Sequence, residues 1–282
     1  MEITPLTGGL GAEVTGADLK DPDQFDIIAK AFAAHGVLAI RDQILTPEDQ
    51  LTFAERFNPI NVNRFFAKVP GHPRVAMVLK EADQTYAIGE GWHTDHSYDQ
   101  APAMCSILHC IETPKVGGDT CFASMNAAYE SLSDGLKTTL LGLRAWHSSR
   151  HAFGASQDDH ESHRDGRIGN AELATQDALH PVVIKHPLSG KPCLYVNPDF
   201  TTHIDGWTAE ESAALLGYLY TVCQKPDFQC RVRYRPGTVV IWDNRATWHK
   251  AINDYHGHRR LMHRVTVEGC ALEPWAPVIG LH

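Results

Sequence analysis

The chain of 282 residues contains no apolar run approaching the length of a membrane-spanning helix, so no membrane association is expected. It also lacks an excess of basic charge. Its 25 lysines and arginines stand against 34 aspartates and glutamates, a formal net charge of -9. A general nucleic-acid binder needs a basic footprint for phosphates, so that class is not expected. A buried arginine acting locally on a small anion remains compatible with this balance. The seven cysteines include no CxxC pair; odd in number and scattered, they read as reduced thiols of a cytoplasmic protein. The opening MEITPLTGGLGAEVTG has no basic region followed by an apolar core, so no signal peptide is expected. No glycine-rich loop opens a helix after a strand, which leaves nucleotide binding without support. No repeat of solenoid length is visible.

What is present is the composition of a soluble globular protein, 43% hydrophobic and 21% charged. Two amphipathic helices come early. DPDQFDIIAKAFAAHG spaces Phe25, Ile28, Ala29 and Phe32 for one face and stops at Gly36. TPEDQLTFAERFN starts with Thr46 as N-cap and Pro47 at the first helical position. VLAIRDQ between them, and RVAMVLK after them, read as strands. SMNAAYESLSDGLKTTLLGL is helical with a break near Ser133 to Gly135, and TAEESAALLGYLYTVCQ is helical with Thr208 as cap. The remainder beyond residue 89 is mostly short strands divided by Gly and Pro turns. The polar stretch 154–178 lacks strand signal and is expected to be a mobile loop or lid. With no linker of Pro/Ser-rich type, one domain over 1–282 is expected, a β-core with helices packed outside.

The stretch GEGWHTDHSYD sets His93 and Asp95 two residues apart. In extended chain such residues face one side while Thr94 faces the other, so both can reach one metal. A third ligand is needed from elsewhere, and His249 in WDNRATWHKAINDYHGHRR is the candidate. Two imidazoles and a carboxylate with open positions form the facial triad of non-haem Fe(II) oxygenases. An HxD by itself is more often a solvated loop, and the downstream segment decides the matter. Arg260 follows His249 across the turn-like NDYHGH, which allows two neighbouring antiparallel strands. On the second strand Arg260, Met262 and Arg264 share a face by the period of two. Two inward arginines are costly unless anions pair with them, and a guanidinium forks onto a carboxylate. The plainer alternative is an exposed strand with surface salt bridges.

WHTD at 92–95, GGDT at 117–120 and WDNRATWHKAINDYHGHRRLMHR at 242–264 together resemble the Fe(II)/2-oxoglutarate-dependent dioxygenases of the taurine dioxygenase and 2,4-dichlorophenoxyacetate dioxygenase family. The resemblance runs from the opening ITPLTGGLGAEVTGADL to about residue 270. It implies a mainly β fold with flanking helices, a double-stranded β-helix (jelly roll, cupin-like). It implies that His93, Asp95 and His249 hold Fe(II), that Arg260 and Thr120 take the distal carboxylate of 2-oxoglutarate, and that Trp242 shields the centre. O₂ is the other co-substrate, and succinate and CO₂ are products. Arg264 would anchor a small anionic organic substrate of aryloxyalkanoate, alkyl sulfonate or sulfate ester type. Phe65, Phe66 and Lys68 fall where the taurine enzyme places polar contacts, which favours a bulkier, more apolar body. The intact Asp95 favours hydroxylation over halogenation. Family members are commonly dimers or tetramers, so a homo-oligomer is expected.

The neighbouring residues carry weaker signals. His96 fits the ligand geometry less well than His93 and Asp95. Tyr98 reads equally as pocket lining or rim packing. His147, His151, His160 and His163 read as solvent-exposed loop histidines rather than a second metal site. Asn244 and Arg245 are expected to organise the turn before His249, and Gly117 and Gly118 the turn before Thr120. Two other classes stay open on the residues alone: a metal-dependent hydrolase using the same three ligands, and a non-catalytic cupin-like anion-binding protein.

Overall fold

One strand, Arg260–Val267, organises the architecture through its alternation. Arg260, Met262 and Arg264 are buried on one face, while Leu261 and His263 on the other are only partly covered. The computed structural model describes residues 1–154 and 165–276. Within them this strand, β17, lies in a nine-stranded sheet. The order is β1 (Glu2–Pro5), β2 (Ala12–Thr15), β3 (Val37–Ile40), β15 (Val239–Asp243), β7 (Cys105–Glu112), β17, β6 (His72–Lys80) and β5 (Lys68–Val69). The short β4 (Ile60–Asn61) pairs with the end of β17. All neighbours are antiparallel except β2 and β3. A second sheet, β14 (Gln229–Val232), β8 (Thr120–Ser124) and β16 (Thr247–Ala251), faces the first. The space between them is filled by Leu108, Cys110, Val240, Trp242 and Met262 from the large sheet and Phe122, Cys230 and Val232 from the small one. Two sheets closed over a common core make the double-stranded β-helix, a jelly roll.

Period-two alternation supplies the outer faces as well. Ile107, Val239, Ile241, Val265 and Val267 pack against Ile28 and Phe32 of α1 (Phe25–His35) and Leu51 and Phe53 of α2 (Pro47–Glu55). Gly36 ends α1 with φ 68°, a left-handed conformation glycine adopts without steric cost. Thr46 and Asp49 close a capping box on α2. Behind the small sheet, Ala123 and Trp248 pack with α3 (Met125–Glu130) and the helix at Ala209–Cys223. Helix α4 (Asp134–Leu140) follows α3 after the break at Leu132 and Ser133. A small sheet sets β9 (Arg144–Ser148) between β10 (Asp177–Pro181) and β13 (Thr201–Ile204), and β11 (Val183–Lys185) forms a hairpin with β12 (Pro192–Leu194). One-turn α5 (Arg150–Phe153) follows β9; Ala209–Cys223 is α6, with Thr208 and Glu211 as its capping box. No helix among the described residues is long and apolar enough to cross a membrane.

Two expectations change, and the stretch 154–178 gains detail. β16 and β17 are not adjacent strands: β16 pairs with β8, while β17 pairs with β6 and β7. His249 and Arg260 therefore meet across the interior of the roll, because the NDYHGH segment crosses between sheets instead of forming a hairpin. The polar stretch 154–178 is built into the fold at its later end. Arg167 is buried and donates to the carbonyls of Leu79 and Tyr86 at 3.2 and 2.9 Å, Ile168 bridges Phe66, and Asp177 already begins β10. Residues 155–164 of that stretch, with His160 and His163, lie outside the described residues. His147, expected in solvent, is fully buried on β9, where its Nδ1 lies 3.1 Å from the Ser97 hydroxyl.

Candidate active site

His93 reaches His249 through the backbone. The two residues form an antiparallel bridge in which each N–H donates to the other's carbonyl, at 3.1 and 2.8 Å. The HTD segment is thus a stub of edge strand laid along β16, and it makes a cross-strand pair of two histidines with ring centroids 4.1 Å apart. Thr94 turns the other way, as period two requires. Its hydroxyl donates to the carbonyls of Asn244 and, at 3.0 Å, Thr247, which pins the segment to the turn before β16. Asp95 then returns to the side of His93.

One ligand-type atom from each of His93, Asp95 and His249 lies within 4.8 Å of the others, and all three residues are buried. Each histidine Nε2 faces the carboxylate, at 3.8 Å for His93 and 3.7 Å for His249. His93 Nδ1 donates to the Gly91 carbonyl at 2.9 Å, which leaves the Nε2 lone pair free for a metal. Burial, then the neighbouring His93, holds the His249 imidazole well below its ordinary pKa, hence neutral as a ligand must be. Burial pushes the Asp95 carboxyl up, but the neighbouring Arg264 guanidinium opposes this and keeps it ionised far below the usual range. Two neutral imidazoles and one carboxylate without thiolate fit Fe(II).

Arg264 Nη2 lies 2.8 Å from Asp95 Oδ2 and 3.1 Å from the Ser106 hydroxyl, which itself donates to the same carboxylate oxygen at 2.9 Å. This spends one edge of the guanidinium, while its Nε is buried without a partner among the described residues. Trp242 covers the other side, its ring 4.7 Å from His249. A small cavity running from His93 and His249 past Trp242 and Arg264 ends at Thr120 and Arg260. Arg260 is buried, donates from Nε to the Gly118 carbonyl at 3.0 Å and stacks over the Tyr234 ring. Gly118 has φ 72°, and a Cβ there would come within 3.2 Å of Arg260 Cδ, so glycine serves both turn and arginine. The Tyr234 hydroxyl donates to Thr120 Oγ1 at 3.1 Å, leaving the threonine proton directed elsewhere. Among the described residues no carboxylate pairs with Arg260; a buried guanidinium with a spare fork is a site for a ligand carboxylate.

A larger cavity of about 320 Å³ opens above His93 and Asp95. Phe66, Tyr98 and Arg264 line it, and for Tyr98 this is one of the two readings its position left open. Phe65 does not; it stacks flat on Phe153 at 4.3 Å and so backs the wall that Phe153 forms. Lys68 does not either. Its Nζ donates to the Asn63 carbonyl, and burial, then Arg264, lowers its pKa. The remaining walls come from Tyr86, Ile88, His151, Ile168, Asp199 and Phe200, on segments that carry no local motif.

Facing sheets that enclose a two-histidine, one-carboxylate cluster, with a buried arginine at the far end of the adjoining cavity, define the 2-oxoglutarate-dependent non-haem iron dioxygenases. The chain matches the Taurine catabolism dioxygenase TauD, TfdA family over residues 2–266, and it belongs to that family. An alkylsulfatase of Acinetobacter baylyi is 33% identical over 275 residues, 95% of this chain and 85% of that protein. An (S)-phenoxypropionate/alpha-ketoglutarate-dioxygenase of Delftia acidovorans is 31% identical over 299 residues, 96% of this chain and 98% of that protein. The crystal structure of a taurine dioxygenase from Burkholderia xenovorans aligns with TM-score 0.80 at 32% identity, covering 97% of this chain and 92% of that one. The protein is an enzyme of this class, using Fe(II), 2-oxoglutarate and O₂.

Proposed function

We propose that the enzyme hydroxylates a small anionic organic substrate of aryloxyalkanoate, alkyl sulfonate or sulfate ester type, with release of succinate and CO₂. One observation carries this reading: Arg264 is the one arginine or lysine on the wall of the cavity above His93 and Asp95 among the described residues. The relatives' names agree in kind, an alkylsulfatase and a phenoxypropionate dioxygenase. Phe66, Tyr98, Phe153, Ile168 and Phe200 make the body of the cavity apolar and aromatic, which suits a hydrocarbon or aryl body behind an anionic head. The whole chain acts as a single dioxygenase domain in this reading, since the walls draw on residues from Asn63 to Arg264. Seven free cysteines suit a reducing, cytoplasmic setting.

Each residue then has a role. His93, Asp95 and His249 hold iron, which when bound supplies the activation of O₂ and the oxidising power. Arg260 and the Thr120 hydroxyl bind the distal carboxylate of 2-oxoglutarate and orient its other end toward the metal ligands. Ser106 and Arg264 hold the Asp95 carboxylate in place by the bonds described above. Trp242 and Phe122 exclude water around His249. Arg264 also presents its remaining N–H groups to the substrate head, so it links the two cavities it lines.

Succinate release by the Fe(II)-loaded enzyme with 2-oxoglutarate tests this across alkyl sulfonates, alkyl sulfates and both enantiomers of aryloxyalkanoates. Stimulation by one class over substrate-free turnover is expected. Equal turnover with every compound would remove the substrate assignment while leaving the enzyme class intact.

A further inference from the structure

We propose that Asp254 is a positioning residue for 2-oxoglutarate, acting through Gly118 on the direction of Arg260. The inference rests on the reading above in which Arg260 takes the distal carboxylate, and it deepens that reading. Asp254 lies in the crossing between β16 and β17 and lines neither of the two cavities. Its side chain is 44% exposed. Its Oδ1 accepts the Gly118 N–H at 2.8 Å. The carbonyl of the same glycine accepts Arg260 Nε at 3.0 Å. One glycine thus joins an outer carboxylate to the buried guanidinium.

The turn at Gly117 and Gly118 needs such a support. Both residues are left-handed, with φ 86° and 72°. Two successive glycines have the widest choice of backbone conformation, so the turn does not hold its own shape. Asp254 restricts it from outside. A Cβ placed on Gly117 would come within 2.6 Å of Asp254 Oδ1, so the carboxylate lies directly against the turn. Asp254 Oδ2 takes Arg231 Nη2 at 3.3 Å, and Arg231 Nε donates to Asp119 Oδ2 at 2.6 Å. The Ile252 N–H adds a bond to the Asp119 carbonyl at 2.9 Å. The crossing is therefore fastened to residues 118 and 119, immediately before Thr120. Arg260 has no other hydrogen bond than that to Gly118 among the described residues, and the Tyr234 ring lies against its guanidinium at 5.1 Å. A guanidinium meets a carboxylate through two parallel bonds in one plane, so a displaced Gly118 carbonyl misdirects both.

Calorimetric titration of 2-oxoglutarate into Mn(II)-loaded protein under argon tests this without turnover. Asp254→Ala should raise Kd about tenfold, on the order of one charge-assisted hydrogen bond. Asp254→Ser, whose hydroxyl stops short of Gly118, takes its place should the alanine variant fail to fold. Asp254→Asn keeps an oxygen for the Gly118 N–H and should stay within about threefold of wild type. A double variant gives a reading that a merely structural role would not produce. If Asp254 acts through Arg260, adding Asp254→Ala to Arg260→Ala should change Kd by less than about twofold, whereas a general loosening would add its own full loss. A Kd for Asp254→Ala within about twofold of wild type, an equal loss in Asp254→Asn, or additive losses in the double variant would overturn the proposal. Those results would leave Arg260 in its role. An Arg260→Ala variant that binds 2-oxoglutarate as the wild type does would instead remove the reading beneath, and the proposal with it.

Discussion

Replacing Arg260 with alanine isolates the co-substrate end of the site. The guanidinium is buried, and its Nε is already committed to the Gly118 carbonyl, so its terminal amino groups remain for a carboxylate. Each charge-assisted hydrogen bond contributes about 1.5–3 kcal/mol net. Loss of two such bonds costs at least about 3 kcal/mol, or on the order of a hundredfold in affinity. Arg260→Lys keeps the charge but loses the fork, and should recover only part of this. Thr120→Val removes one hydrogen bond to that carboxylate and should weaken binding about tenfold, from roughly 1.5 kcal/mol. Calorimetric titration of 2-oxoglutarate into Mn(II)-loaded protein under argon measures the affinity without turnover. A Kd for Arg260→Ala within about threefold of wild type, on the scale where 1.4 kcal/mol is tenfold, would refute the assignment of Arg260 as the carboxylate partner.

Two further predictions concern the scaffold. Burial, and then the neighbouring His263, pull the His109 imidazole down from 6.5 to about 4. The unfolded chain therefore takes up a proton that the fold refuses, and stability falls as pH drops from about 6.5 to about 4, by at most about 3 kcal/mol. Melting temperature followed across that window should flatten in His109→Gln; an unchanged slope would mean that other groups dominate. Arg245 pairs with Asp243 through Nη2 at 2.8 Å and Nε at 2.9 Å, and His186 Nε2 approaches the same carboxylate at 3.0 Å. Arg245→Met leaves that buried carboxylate short of its main partner and should cost about 3–5 kcal/mol. Urea unfolding would show it as a lower midpoint, and a loss under about 1 kcal/mol would make the pair dispensable.

The metal cluster was legible because its geometry is local on one side and periodic on the other. His93 and Asp95 need only an extended backbone, and Arg260 and Arg264 need only a strand. The helix caps at Thr46 and Thr208 were readable for the same reason, since a hydroxyl three residues from an acid acts within its own turn. What failed was the step from one segment to another. The turn-like residues between β16 and β17 carry no mark that separates a hairpin from a crossing between sheets. The substrate wall was hidden more completely. Tyr86, His151, Ile168 and Phe200 reach the cavity from four separate loops and short elements, and none follows a period that points inward. Phe65 was drawn toward the substrate by its neighbour Phe66, yet in the bend that the Asn63 side chain holds it stacks behind Phe153. His147 misled in a different way: an imidazole among polar neighbours looks solvated until β10 and β13 close over β9.

The central claim is that His93, Asp95 and His249 hold the iron on which 2-oxoglutarate binds. Anaerobic loading with Fe(II), followed by addition of 2-oxoglutarate, tests it by metal analysis and visible absorption on wild type and Asp95→Ala. The wild type should bind one iron per chain and develop a visible band only when 2-oxoglutarate is present, and Asp95→Ala should lose the band and 2-oxoglutarate turnover. A wild type that holds zinc tightly and shows no band, or an Asp95→Ala variant with the full band, would contradict the account.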